Sequence, residues 1–214
     1  MNLARPALLA PLFVGLLVGC APDDLEPELD HHEHTEEAEE PVGTGSVEQA
    51  VGNSCSTTSI KPLSQQIIDE MMCMDPDGLA EVPDRPNLVL SAAVFPYLVK
   101  PARDNFVAAL DKKPGTTMNV SSMFRTVAQQ YMVRRWYEQG RCGIAAAATP
   151  GNSNHESGLA IDIPSNSAWR TTLSQKGFKW FGGGDPPHFD YNGASSLKGL
   201  DVEAFQRLWN RNHP

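Results

Sequence analysis

The amino-acid sequence predicts an α+β domain, a small antiparallel sheet flanked by helices. Two features point there: apolar residues at helical spacing alternate with very short apolar strands, and the order of these elements lacks βαβ spacing. No internal repeat is present. Ser64 can cap a helix through about Met72, with Leu63, Ile67, Ile68 and Met71 along one face. Asp75 to Gly78 is a turn, and Leu88 to Leu90 is a short strand or a connector. Leu98, Ala102, Phe106, Ala109 and Leu110 predict an amphipathic helix from Pro96 to about Asp111. Met118 to Phe124 reads as a strand. Thr126 to Gly140 reads as a helix with Val127, Tyr131, Arg135 and Trp136 on one side and Gly140 as its stop.

Beyond a loop rich in small residues, Leu159 to Ile163 alternates as a strand. Leu159, Ile161 and Ile163 face one way, Ala160 and Asp162 the other. Phe178 to Phe181 and His188 to Tyr191 are two more short strands. Asp201 to Asn210 closes the chain as a helix, with Val202, Phe205, Leu208 and Trp209 expected in its core face.

The chain has 214 residues, room for one ordinary domain plus a tail. Arg5 followed by the apolar run Ala7 to Val18 reads as a signal peptide, too short to span a bilayer comfortably. Leu17-Val18-Gly19-Cys20 resembles a bacterial lipobox, which makes residues 1–20 a lipoprotein signal and Cys20 the lipid-bearing residue. Ala21 resembles sorting to the outer membrane. An ordinary secretory signal with an incidental cysteine is the plainer alternative.

The net charge of −9 belongs to a tail. Residues 21–50 hold eleven acidic side chains and no Lys or Arg, whereas residues 51–214 hold 16 basic and 15 acidic. Residues 21–54 therefore read as an acidic flexible tether and residues 55–214 as the folded domain. His31, His32 and His34 read as tether residues rather than a metal cluster. Nothing in the charge balance suggests nucleic acid, and a monomer is expected.

With Cys20 lipidated, three cysteines remain, and an odd number leaves one unpaired. Cys55 and Cys73 are the nearest pair, and closing that loop would constrain the unfolded chain by roughly 3 kcal/mol. Cys142 stays open as a partner.

His155, Asp162 and His188 carry the chemistry. Two imidazoles and a carboxylate make a three-ligand zinc site with one open position, the hydrolytic rather than the structural arrangement. His155 and Asp162 are seven apart, so a straight strand would point them to opposite faces; a turn at Gly158 can fold the imidazole back over the strand. Pro186 and Pro187 restrict the backbone between Asp185 and His188. Asp190 shares a strand face with His188 and could orient an imidazole. Glu156 ranks below Asp185 as a base because neighbouring residues diverge in direction. Ser153 reads as a turn hydroxyl. Trp169, Trp180 and Phe181 either wall the cleft or pack.

Ser153-x-His155-x-x-Gly158-x-Ala160-x-Asp162, followed by Asp185-x-x-His188, resembles the zinc D-alanyl-D-alanine carboxypeptidases of the VanY type and the related L-alanyl-D-glutamate endopeptidases. Ser121-Ser122-Met123-Phe124-Arg125-Thr126, with Gln129 or Gln130, is similar to the family's Ser-x-x-Arg-(Ser/Thr) segment. Asp185 stands where many carboxypeptidase relatives carry Glu, and Asp-x-x-His-Phe is typical of the endopeptidase branch.

The resemblance implies a hedgehog/D,D-peptidase-like zinc fold over residues 55–214. It further implies Zn2+ held by His155, Asp162 and His188, with Asp185 moving the proton and Arg125 binding the substrate carbonyl or carboxylate. The implied activity is a D,D-carboxypeptidase on peptidoglycan stem peptides, in the bacterial cell envelope and facing the periplasm. An L-alanyl-D-glutamate endopeptidase is the second choice, and a non-catalytic zinc-containing cell-wall binding lipoprotein the alternative from another class.

Overall fold

The computed structural model describes residues 54–213. The expected signal peptide, Cys20, the expected tether up to residue 53 and His31, His32 and His34 lie outside the described residues.

The first long helix, α1 (Lys61–Met74), starts earlier than expected because Pro62 suits the first turn, where a missing N–H costs nothing. Ser64 is buried and bonds Thr126 Oγ1 at 2.9 Å, so it ties two segments together rather than capping. The expected helix from Pro96 is also corrected. Tyr97–Val99 forms strand β3 against β1 (Leu79–Glu81), antiparallel, and α2 (Lys100–Asp111) begins after it with Pro101 in its first turn. Strand β2 (Leu88–Leu90) pairs in parallel with β4 (Met118–Val120), with α2 in the crossover.

Strand β4 ends before Phe124 because the next residues leave to bridge other segments, Ser122 with Asp162 and Phe124 with Phe95. Helix α3 (Val127–Glu138) opens on a reciprocal cap: Thr126 Oγ1 accepts from Gln129 N, and Gln129 Oε1 accepts from Thr126 N. Its buried side is Gln129, Gln130, Met132 and Trp136, whereas Tyr131, expected on that side, is exposed. Two glutamines are buried because each has specific hydrogen-bond partners. Gly140 follows the helix in a left-handed conformation, φ 63°, as a stop should.

The three-stranded antiparallel sheet runs β5 (Ala160–Asp162), β7 (His188–Tyr191), β6 (Phe178–Trp180), with the short α4 (Arg170–Ser174) before β6. Its inner face meets α2 in the main core, around Phe106, Met118, Ile161, Trp169, Phe178 and Phe189. Trp169 is fully buried there, so it packs and does not wall the cleft. Helix α5 (Leu200–Asn212) packs chiefly on α1. Its buried residues are Asp201 and Ala204, and Phe205 and Leu208 pack against the core as expected, whereas Trp209 is exposed and stacked on His213. Glu70 of α1 holds Arg211 near the end of α5.

Cys55 bonds Cys142, not Cys73, across a sequence separation of 87. No described cysteine is free, Cys73 included, so the expected unpaired thiol is not found among them. The near pair lost because Cys142 follows Gly140 in a loop that returns past the N-terminal segment. No helix among the described residues is long and apolar enough to cross a membrane.

Candidate metal centre

Antiparallel pairing sets the first two side chains. Asp162 of β5 lies directly opposite His188 of β7, and Ala160 lies opposite Asp190. Cross-strand partners project from the same face, so the carboxylate and the imidazole meet at one place. Residues 154–158 form the turn that returns the third side chain, with Gly158 at φ 67° and its carbonyl bonded by Val99 N at 3.0 Å. His155 O in turn accepts from Arg125 N at 3.3 Å.

One ligand atom from each of His155, Asp162 and His188 lies within 4.8 Å of the others. His155 Nε2 is 3.3 Å from Asp162 Oδ2 and 3.2 Å from His188 Nδ1, and His188 Nδ1 is 3.0 Å from Asp162 Oδ1. The outer ring nitrogens define the tautomers. His155 Nδ1 is 2.7 Å from the Met123 carbonyl, which can only accept, so Nδ1 carries the hydrogen. His188 Nε2 donates to Asp190 Oδ1 at 2.9 Å, and Asn154 Nδ2 donates to the same oxygen at 2.8 Å. Each imidazole is thus oriented with its remaining nitrogen toward Asp162. Two nitrogens and a carboxylate oxygen, backed by oxygen acceptors, fit the donor chemistry of zinc.

Arg125 lies beside the same carboxylate. Its Nη2 donates to Asp162 Oδ2 at 3.2 Å and Ser122 Oγ at 3.0 Å, and its Nη1 donates to Gln130 Oε1 at 2.7 Å. Gln130, not Gln129, is therefore the glutamine of the site; Gln129 caps α3. The paired motif residues left that choice open, and only the cap pattern from Thr126 could have decided it. Ser122 and Asn154 carried no individual signal in the sequence.

Charge is strongly coupled here. Burial pushes the Asp162 carboxyl up, but His155, His188 and Arg125 together hold it well below the usual carboxylate range. Burial pushes His155 down, opposed by Asp162. For His188 burial acts downward too, yet its hydrogen bonds to Asp162 and Asp190 win and raise it to about 9. Asp185 is half-buried, and burial followed by the nearby Asp162 charge raises its carboxyl above the ordinary value.

Asp185, Arg125 and the three clustered residues line one cleft of about 990 Å³, which continues past Arg125 to Trp136, Tyr137 and the Cys55–Cys142 bridge. Phe181, exposed, stands edge-on to His188 at 5.7 Å and walls this cleft. Trp180 instead donates from Nε1 to Pro186 O at 2.7 Å and lies under the Arg170 guanidinium, bracing the segment before His188. Glu156 is turned inward, its two oxygens taken by Gly151 N at 2.7 Å and Ser153 N at 2.9 Å. It shapes the loop before His155 and does not face the cleft.

Residues 98–181 match the family model VanY, D-alanyl-D-alanine carboxypeptidase. That stretch includes Arg125, His155 and Asp162 and ends short of Asp185 and His188. Among solved structures, the chain is similar to the LdcB LD-carboxypeptidase, with 23% identity, a TM-score of 0.41, and coverage of 62% of this chain and 74% of that one. It is also similar to a mutant of the vancomycin-resistance D,D-pentapeptidase VanY in complex with Zn(II), with 19% identity, a TM-score of 0.37, and coverage of 62% and 89%. No curated protein matches the chain.

Proposed function

We propose, on the match of residues 98–181 to the VanY family model, that the protein is a zinc-dependent D-alanyl-D-alanine carboxypeptidase that hydrolyses peptidoglycan stem peptides. The convergence of His155, Asp162 and His188, each imidazole with its outer nitrogen already engaged, carries this reading. These three residues would hold the zinc. Bound there, zinc would supply Lewis-acid polarisation of a carbonyl and acidify water.

The remaining work belongs to the chain's own side chains. Asp185 takes a proton from the attacking water on its carboxylate and returns it to the leaving amine; its raised affinity for protons suits a group that must both accept and donate. Arg125, held by Gln130, Ser122 and Asp162, presents a fixed positive charge in the cleft for the substrate carboxylate or the developing oxyanion. The reading includes an acidic tether and a place in the bacterial envelope, as a monomer.

A second reading, cleavage of the L-alanyl-D-glutamate bond, is favoured by Asp185-x-x-His188-Phe189 and by a cleft that runs on beyond Arg125, leaving room on both sides of a scissile bond. Incubating the purified protein with zinc and muropeptides and weighing the products separates the two. Loss of a single D-alanine supports the carboxypeptidase, and release of the stem supports the endopeptidase. Neither product appearing would end the proposal of peptidoglycan cleavage.

A further inference from the structure

The residues between the disulfide and the His155 turn form a strap along one wall of the cleft. Residues 144–149 run without helix, strand, turn or bend, and Ala145, Ala146, Ala147 and Ala148 all line the cleft that also holds Arg125 and the metal-ligand cluster. Both ends are fixed. Cys142 is bonded to Cys55, and at the other end Asn152 N donates to Thr149 O at 3.0 Å in the turn that leads toward His155. The middle is fastened to α3 through two carbonyls: Ala147 O accepts from Arg134 Nη1 and Ala148 O from Gln130 Nε2, each at 2.8 Å. Gln130 is fully buried and its amide oxygen holds Arg125, so the strap and the site arginine share one anchor.

The N–H groups of the strap are left over. Among the described residues, those of Ala145, Ala146, Ala147 and Ala148 donate to no protein acceptor. Three of these alanines are exposed and Ala147 is partly buried, and their methyl groups cover little of the main chain. The side chains carry neither charge nor hydrogen-bonding group, which leaves polar recognition to the main chain itself. An unpaired row of main-chain donors is a template on which another extended chain can pair. Here the row is anchored before any ligand arrives, so pairing with it costs little ordering of the protein.

We propose that residues 145–148 are a peptide-binding edge, whose main-chain N–H groups take the carbonyls of an extended stem peptide lying in the cleft on the acyl side of the scissile bond. This deepens the peptidase reading of the site and rests on it. A D,D-carboxypeptidase removes one terminal residue, so nearly all of its substrate precedes the bond that is cut. The arm of the cleft that continues past Arg125 is where that length can lie. The chemistry suits such a ligand. The two bonds considered above, D-alanyl-D-alanine and L-alanyl-D-glutamate, put residues of both hands in one stem, and their side chains leave the main chain in mirror-image directions. Carbonyl oxygens are common to both hands, and a wall of methyl groups leaves room for either.

The test uses the full chain loaded with zinc and two ligands, the D-alanyl-D-alanine dipeptide and a pentapeptide stem that ends in it. Amide exchange reads the donors directly. In Asp185→Asn, saturating pentapeptide should slow exchange about fivefold or more at two of the four alanine N–H groups, since successive residues of an extended run face opposite ways. The dipeptide, with almost nothing before the scissile bond, should slow none. Kinetics of the wild type should show kcat/KM at least about fivefold higher for the pentapeptide, the worth of one main-chain hydrogen bond. Proline removes an N–H that glycine keeps. One of Ala146→Pro and Ala147→Pro should therefore lower the pentapeptide-to-dipeptide ratio about fivefold relative to the matching Ala146→Gly or Ala147→Gly, through KM. Bound pentapeptide without slowed exchange, or equal ratios in both proline and glycine pairs, would overturn the edge, and cleavage by the wild type would then leave the peptidase reading standing. Slowed exchange without any cleavage would uphold the edge and overturn that reading. Neither binding nor cleavage would overturn both. If the proline variants do not fold, exchange in Asp185→Asn decides alone.

Discussion

Asp190 grips His188 through the ring nitrogen that faces away from Asp162, at 2.9 Å, and is itself held by Asn154 at 2.8 Å. The residue just before His155 in the chain thus helps to orient the other imidazole of the cluster. Burial raises the Asp190 carboxyl, but its bonds to His188 and Asn154 outweigh it and keep the group ionised. A carboxylate in this position fixes the ring's tautomer and increases the basicity of the opposite nitrogen.

Asp190→Ala should therefore weaken zinc binding by roughly 10–100-fold, with Asn154→Ala having a smaller effect in the same direction. Competition against a chelator of known affinity measures both. Unchanged affinity in Asp190→Ala would mean that His188 needs no outer partner.

Asp185→Asn separates proton transfer from metal binding. Asp185 lines the cleft but lies outside the three-residue cluster, so zinc content should remain at the wild-type level. The turnover number should fall about 10²–10⁴-fold, the usual contribution of a positioned acid–base group, with little change in KM. Equal activity in the variant would move the role to another residue.

The disulfide bears on both stability and cleft shape. Closing a loop of this length restricts the unfolded chain by about 4–5 kcal/mol in the chain-entropy treatment. Replacing Cys55 and Cys142 together with serine should lower the urea midpoint accordingly. Both cysteines line the cleft, and Cys142 is held in a left-handed conformation at φ 61°, so the wall they form should loosen and KM should rise. A variant with unchanged midpoint and KM would show the bridge to be incidental.

What the sequence disclosed follows from the range of each interaction. Strand alternation at His188 to Tyr191 was visible because it has a period of two residues, and the burial of Phe189 and Tyr191 reproduces it; at Leu159 to Ile163 the fully buried Ala160 interrupts the pattern. The motif spacing brought His155, Asp162 and His188 into one cluster. Pairings between distant segments were not readable: the parallel β2–β4 ladder and the Cys55–Cys142 bridge depend on where intervening elements turn. Helix faces were misjudged where polar side chains go inward. Gln129 and Gln130 replace Tyr131 on the inner side of α3, and Asp201 reads locally as an ordinary first-turn acid although α5 buries it.

Gly158 offers the sharpest test of how the fold positions the site. At φ 67° it occupies a region that costs an L-residue about 1–2 kcal/mol. Its surroundings add a steric objection, since a Cβ there would stand 3.0 Å from Val99 N and 3.2 Å from Val99 Cγ1. Val99 N is the donor to the Gly158 carbonyl, so the added methyl would push on the bond that fastens the His155 turn to the end of β3. Gly158→Ala should therefore destabilise the fold by at least the backbone cost, read as a lower denaturant midpoint. It should also weaken zinc binding, because His155 is displaced relative to Asp162 and His188. A variant that loses stability but binds zinc with unchanged affinity would show that the imidazole is positioned by its bond to Met123 O and not by the turn.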